Sequence, residues 1–218
     1  CELIGGDTTQ GPLIICITVF GHVPKPGSGS LALLRSGAQV GDDLYVSGTV
    51  GDARLALEVF RGTLSLPQAA FDAARARMEQ PTPRVALGLA LRGIATSAAD
   101  ISDGLIGDLG HILKASRVGA SIATAAALPL LAQRAALAAL PPERADDLAL
   151  ECVLAGGDDY ELVFTAPPQH RAAIQAAAAQ AQTPVTRIGQ IEAEPGLRLL
   201  GAQGQLLTRR FAGFDHFA

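Results

Sequence analysis

The residues best suited to chemistry lie at 99–105, Ala-Asp-Ile-Ser-Asp-Gly-Leu, where two carboxylates and a hydroxyl stand between two structural patterns. Upstream, residues 87–95 are mainly apolar. Downstream, Leu105, Leu109, Ile112, Leu113 and Ser116 recur at helical spacing. Asp100 is therefore expected to close a strand and Asp103 to open a helix. The free N–H groups and the positive dipole end at a helix start attract anions, whether side chain or ligand phosphate, and a cation can bridge the two. By itself the pattern also fits an ordinary cap, because Ser102 and Asp103 are both preferred N-cap types.

Two further acidic clusters flanked by glycine shift that balance. Residues 4–9 read Ile-Gly-Gly-Asp-Thr-Thr, and residues 155–162 read Ala-Gly-Gly-Asp-Asp-Tyr-Glu-Leu. Paired glycines permit positive φ and remove side-chain bulk, so backbone amides can approach a ligand while the following aspartate points into open space. Each cluster alone could be a turn before a strand. Together, the three carry hard carboxylate oxygens suited to Mg²⁺, which commonly takes one or two carboxylates and completes its shell with water and phosphate oxygens. The expectation is a site that handles phosphates through magnesium.

Composition narrows the options. The 218 residues carry a net charge of −4, 4% aromatics and no tryptophan. That length accommodates one large domain or two small ones with ample core. An acidic balance without basic runs argues against nucleic acid: Arg35, Arg75, Arg77, Arg84, Arg209 and Arg210 are scattered or paired, without interleaved aromatics, and most are expected on the solvated surface. The longest uncharged stretches are alanine-rich and broken by Pro129 or Pro184, so no membrane span is expected. Cys1, Cys16 and Cys152 are odd in number and lack metal-ligand spacing, which suits free thiols in a reducing cytosol. The first residue is not methionine and the chain opens on an apparent motif, which is the pattern expected of the later part of a longer protein.

Residue types predict a strand at 12–23, a linker at 24–30, then a strand at 43–47, helices at 53–61 and 67–79, and a helix from about 84 after Pro81-Thr82-Pro83. The strand ending at Asp100 and the helix 103–116 follow. A short strand at 120–124 and alanine-rich helices at 128–139 and 143–154 come next. The remainder reads as a strand at 160–164, a helix at 169–182 with Pro168 in its first turn, and strands at 185–191, 197–200 and 206–207. Strands and helices interleave without strict βαβ repetition, so the expected class is α/β (α+β), a layered domain on a mixed sheet. The domains divide as 1–24 and 25–218.

The common phosphate signatures are absent: no lysine-bearing glycine loop, no dinucleotide fingerprint and no kinase-type catalytic loop. Five segments in order, residues 3–9, 34–38 with Gly41-Asp42, 100–105, 156–162 and the terminal 213–217, resemble thiamine-monophosphate kinase from first residue to last. That family belongs with the aminoimidazole ribonucleotide synthetase-like enzymes. The resemblance implies their C-terminal domain fold, preceded by one remnant strand of an N-terminal ATP- and Mg-binding domain. It further implies transfer of the ATP γ-phosphate to thiamine monophosphate, several Mg²⁺ ions, a homodimer and a cytoplasmic location.

Position by position, the resemblance implies that Asp7, Asp100 and Asp103 bind magnesium. Gly6, Asp7, Arg35 and Ser102 would contact ATP. Asp158 would meet the substrate, standing where the family more often has glutamate, and Phe214 would stack on a thiamine ring. His111 and His216 have no role in this chemistry. An acceptor phosphate monoester has a second pKa of about 6, so at neutral pH its attacking oxygen is already mostly ionised and no side chain need act as acid or base. What must be overcome is repulsion between polyanions. Because most of the N-terminal half is missing, the chain alone is expected to be a weak or inactive kinase. Two alternatives stay open on the sequence: another ATP-using enzyme of the superfamily, such as selenophosphate synthetase, and a non-catalytic phosphate-binding or interaction fragment.

Overall fold

The computed structural model describes residues 2–25, 30–209 and 211. It falls into two units, Cys1–Leu31 and Ala32–Ala218. In the first, the predicted strand at 12–23 does not form: the segment is irregular, with Ile14, Ile15, Ile17 and Phe20 all exposed. β-Branched residues supply only a preference. A strand also needs a ladder partner and a face to bury.

The second unit is an α/β domain on a six-stranded mixed sheet in the order β2-β4-β1-β5-β3-β6. The strands are β1 (Asp43–Ser47), β2 (Ser97–Ile101), β3 (Gly119–Ala123), β4 (Glu161–Ala166), β5 (Val185–Glu192) and β6 (Gly196–Leu200). All neighbours pair antiparallel except β3 with β6. Among the described residues the helices are α1 (Asp52–Phe60), α2 (Gln68–Glu79), α3 (Val85–Ala90), α4 (Leu105–Ser116), α5 (Thr124–Ala127), α6 (Pro142–Ala155) and α7 (Arg171–Gln180), with short 3₁₀ turns.

Period-two alternation sorts the strand side chains between two cores. Leu44, Val46, Ala99, Ile101 and Val163 bury with Leu105, Leu109 and Ile112 of α4, Leu55 of α1 and Val153 of α6. Their neighbours Tyr45 and Phe164 join Leu87 and Leu91 of α3 and Ile174 of α7. Tyr45 and Phe164 face each other across β1 and β4 and stack with ring centroids 5.2 Å apart. This packing clamps β2 and β4, the two strands whose ends carry acidic clusters.

Two sequence expectations change here. The predicted helix 128–139 is replaced by 3₁₀ turns at Leu128–Leu130 and Arg134–Leu137. Pro129 interrupts the pattern, and the buried Asp52 carboxylate accepts the amides of Ala132 and Gln133, at 3.2 and 2.9 Å, that a continuous helix would use itself. The predicted strand at 206–207 is reduced to a single bridge between Leu200 and Leu206.

Candidate functional site

The end of β2 and the loop leading into β4 are laced together. Asp158 N–H donates to the Ser102 carbonyl and Tyr160 N–H to the Ile101 carbonyl, both at 2.9 Å. Two glycines allow this approach. A Cβ at Gly157 would stand 2.5 Å from the Ser102 carbonyl oxygen, and one at Gly104 would stand 3.0 Å from the Ala155 carbonyl carbon at the end of α6. Gly104 also has φ +112, a backbone region open mainly to glycine. Gly156 and Gly157 thus supply close contact. Positive φ falls instead on Asp158 and Tyr160, at 66° and 51°. The alternation turns Asp158 and Tyr160 outward and Asp159 inward, so the predicted residues Ser102, Asp103 and Asp158 come together.

The helix start differs from the expected cap. α4 begins at Leu105 with Gly104 as N-cap and no side-chain cap, so neither Ser102 nor Asp103 plays that part. Instead Asp108, buried in the first turn, accepts the backbone N–H groups of Ser102 and Asp103 at 2.9 and 3.1 Å. Burial raises its pKa above the ordinary carboxylate value; those two hydrogen bonds oppose the rise, while the nearby charges of Asp103 and Asp100 add to it. The three carboxylates are therefore electrostatic neighbours. Sequence periodicity marked Asp108 only as a polar residue on a helix.

Beneath the loop lies an anchor that sequence reasoning missed. Glu161 is fully buried and accepts four hydrogen bonds: from Ser47 Oγ at 2.6 Å, from Arg84 Nε and Nη2 at 2.7 and 2.6 Å, and from Arg77 Nη2 at 2.9 Å. Ser47 Oγ also accepts the Leu162 N–H. Arg77 and Arg84, expected on the solvated surface, are thus largely buried ion-pair partners. Arg77 additionally reaches the Asp159 carbonyl at 3.2 Å. Asp159 accepts the Gly51 N–H at 2.8 Å and leaves its other carboxylate oxygen without a hydrogen-bond partner. Desolvation, reinforced by Asp52, pushes its pKa up to about 8. The one advance signal was four acidic or aromatic residues in succession at 158–161, a run too polar for an ordinary strand entry.

A groove runs past this assembly. One stretch, about 460 Å³, is lined by Leu34, Arg35 and Ala99. The next, about 490 Å³, is lined by Pro83, Val85 and Tyr160. Gly88, Asp100 and Leu162 belong to both. Arg35 and Asp100 are exposed, and Ser116 at the end of α4 holds the Arg35 loop by accepting the Gly37 and Ala38 amides at 3.1 Å. Guanidinium, carboxylate and apolar cleft follow one another along a single surface, an arrangement able to hold a phosphorylated ligand.

Among the described residues no group of three or more His, Cys, Asp or Glu side chains could by itself hold a metal ion. Asp100 and Asp103 nevertheless supply the hard oxygens that Mg²⁺ needs when water and phosphate complete its shell. Asp7 belongs to the first unit, where it is exposed and accepts the Thr8 N–H at 2.8 Å; Gly6 beside it is also exposed. Phe214 lies outside the described residues. Cys16 is exposed and Cys152 buried, both as free thiols, and burial pushes the Cys152 thiol up to about 12. No described helix is long and apolar enough to cross a membrane.

Residues 39–201 match the family described as AIR synthase related protein, C-terminal domain. Across its whole length the chain is 44% identical to thiamine-monophosphate kinase of Escherichia coli (strain K12), of which it covers 64%. The crystal structure of thiamine-monophosphate kinase from Stenotrophomonas maltophilia K279a aligns with a TM-score of 0.68 at 41% identity, over 81% of this chain and 54% of that one. The structure of AaThiL complexed with AMPPCP and TMP aligns with a TM-score of 0.63 at 27% identity, over 85% and 54%. The chain thus spans somewhat under two thirds of its curated relatives' length.

Proposed function

This chain belongs to the AIR synthase related protein family, whose C-terminal domain it carries, and we propose that it serves the ATP-dependent phosphorylation of thiamine monophosphate to thiamine diphosphate. The observation that carries this reading is the docking of the Gly157–Tyr160 loop onto Ser102, which gathers the acidic residues of two distant segments beside a groove holding Arg35.

In this reading Arg35 and Ser102 contact the nucleotide phosphates, joined by Gly6 and Asp7, while Asp158 and Phe214 meet the acceptor. Asp100, Asp103 and Asp7 hold Mg²⁺, which when bound supplies charge neutralisation between the two reacting polyanions. No residue acts as a general base, because the monoester oxygen is mostly ionised at neutral pH. The buried Glu161 and Asp159 and the carboxylate of Asp108 keep the two loops in place, so the reactants meet a surface already arranged. The protein works as a homodimer in the cytoplasm.

The test replaces the matched segment of the Escherichia coli relative with this chain and measures thiamine diphosphate formed from ATP and thiamine monophosphate. Product formation is expected from the chimera. A folded chimera that forms none refutes the assignment.

A further inference from the structure

Resting on that reaction, we infer that the cleft between α3 and the Asp158–Tyr160 loop is a seat for a flat, cationic heteroaromatic ring, the thiazolium-bearing part of the acceptor. The cleft measures about 490 Å³, within the range of small-molecule sites. Its walls are Pro81, Pro83 and Val85, with Leu162 below and Tyr160 standing 44% exposed at the rim.

Charge decides which ring it takes. Arg84 is the cation in the wall, but two of its guanidinium nitrogens are spent on Glu161, itself fully buried, so the wall presents no net positive charge. What faces a ligand is the negative π-face of Tyr160 and, at the edge shared with the Arg35 stretch, the carboxylate of Asp100. A cationic ring is favoured there over a neutral one. Continuity sets the orientation: a ring in the cleft directs its phosphate past Asp100 toward Arg35. Tyr160 is also fixed beforehand, since its amide is tied to Ile101 at 2.9 Å and its backbone sits at φ +51. Little rotational freedom of the loop remains to be lost on binding.

Gly88 provides the probe. It lies within α3, and a Cβ there meets nothing nearer than a Leu162 methyl at 3.9 Å. Gly88→Leu therefore projects bulk into the cleft without displacing backbone. The chain has two tyrosines and no tryptophan, and Tyr45 is buried against Phe164, which leaves Tyr160 as the accessible aromatic reporter.

The experiment titrates the 218-residue chain, in buffer free of divalent ions, with thiamine and separately with adenosine, a neutral ring, by calorimetry and by the NMR signals of the Tyr160 ring. Thiamine is expected to bind saturably and shift those signals, with adenosine weaker by about tenfold or more. Gly88→Leu and Tyr160→Leu should each weaken thiamine by a similar factor at an unchanged thermal midpoint, while Tyr160→Phe retains binding. Saturable binding that survives Gly88→Leu, adenosine binding as tightly as thiamine, or no thiamine binding in the millimolar range overturns the inference. Thiamine binding requires no phosphoryl transfer. An active chimera beside a chain that ignores thiamine sinks the cleft alone, and a chain that binds through the cleft beside a folded, silent chimera sinks the reaction alone.

Discussion

Asp159 should make the folded chain less stable as pH rises through the neutral range. Its carboxyl is fully buried, one oxygen has no hydrogen-bond partner, and desolvation raises its pKa from 3.8 to about 8. The sign follows from proton counting: between those two values the folded state holds a proton that the unfolded state has released, so stability falls with pH. The slope approaches 1.4 kcal/mol per pH unit, or at most about 4 kcal/mol between pH 5 and pH 8. For a domain of this size that corresponds to a fall in melting temperature of roughly 8–16 °C. Asp159→Asn keeps an oxygen for the Gly51 amide and removes the titration, so its stability should change far less over the same window and exceed that of the parent at pH 8. Thermal melts of both proteins by circular dichroism from pH 5 to pH 8.5 measure the difference. Parallel pH profiles for parent and variant would refute the reasoning, because every other titrating group is common to both.

Three other outcomes follow from the same geometry. Asp108→Ala strips the acceptor from the Ser102 and Asp103 amides and should cost about 2–4 kcal/mol in urea unfolding, the order expected for two backbone donors left without a partner; a loss well below 1 kcal/mol would mean that water replaces the carboxylate. Gly157→Ala drives a Cβ against the Ser102 carbonyl and should cost about 1–3 kcal/mol while weakening thiamine binding, and a variant equal to the parent in both measurements would show the contact to be soft. In the chimera, Asp103→Asn should lower turnover by about 100-fold or more with the melting temperature unchanged, and near-normal turnover would count against its role toward the metal.

Much of the fold could be read from pattern alone. β1, β2, α1, α2, α6 and β4 stand within a few residues of where periodicity predicts them, because their side chains alternate or repeat strongly enough to choose a buried face. The segment at 12–23 misled for the converse reason: Ile14, Ile15, Ile17 and Phe20 have strand character, but residue preference cannot specify a pairing partner. The helix predicted at 128–139 failed because Asp52, some eighty residues earlier, claims two of its amides, a competitor invisible to any local window.

For the site the division is similar. From the sequence alone came the identity of the reactive groups: Asp100, Ser102, Asp103 and Asp158 stand out by type and by adjacent glycine, since such residues at strand and helix ends have few purely structural uses. Tertiary structure alone decided that two of these loops touch, that Asp108 staples one of them, and that Arg77 and Arg84 are drawn inward by a buried glutamate. A chain records which groups it carries and their local spacing. The cost of burying Glu161, and hence the partners that must surround it, exists only once distant segments have excluded the water between them.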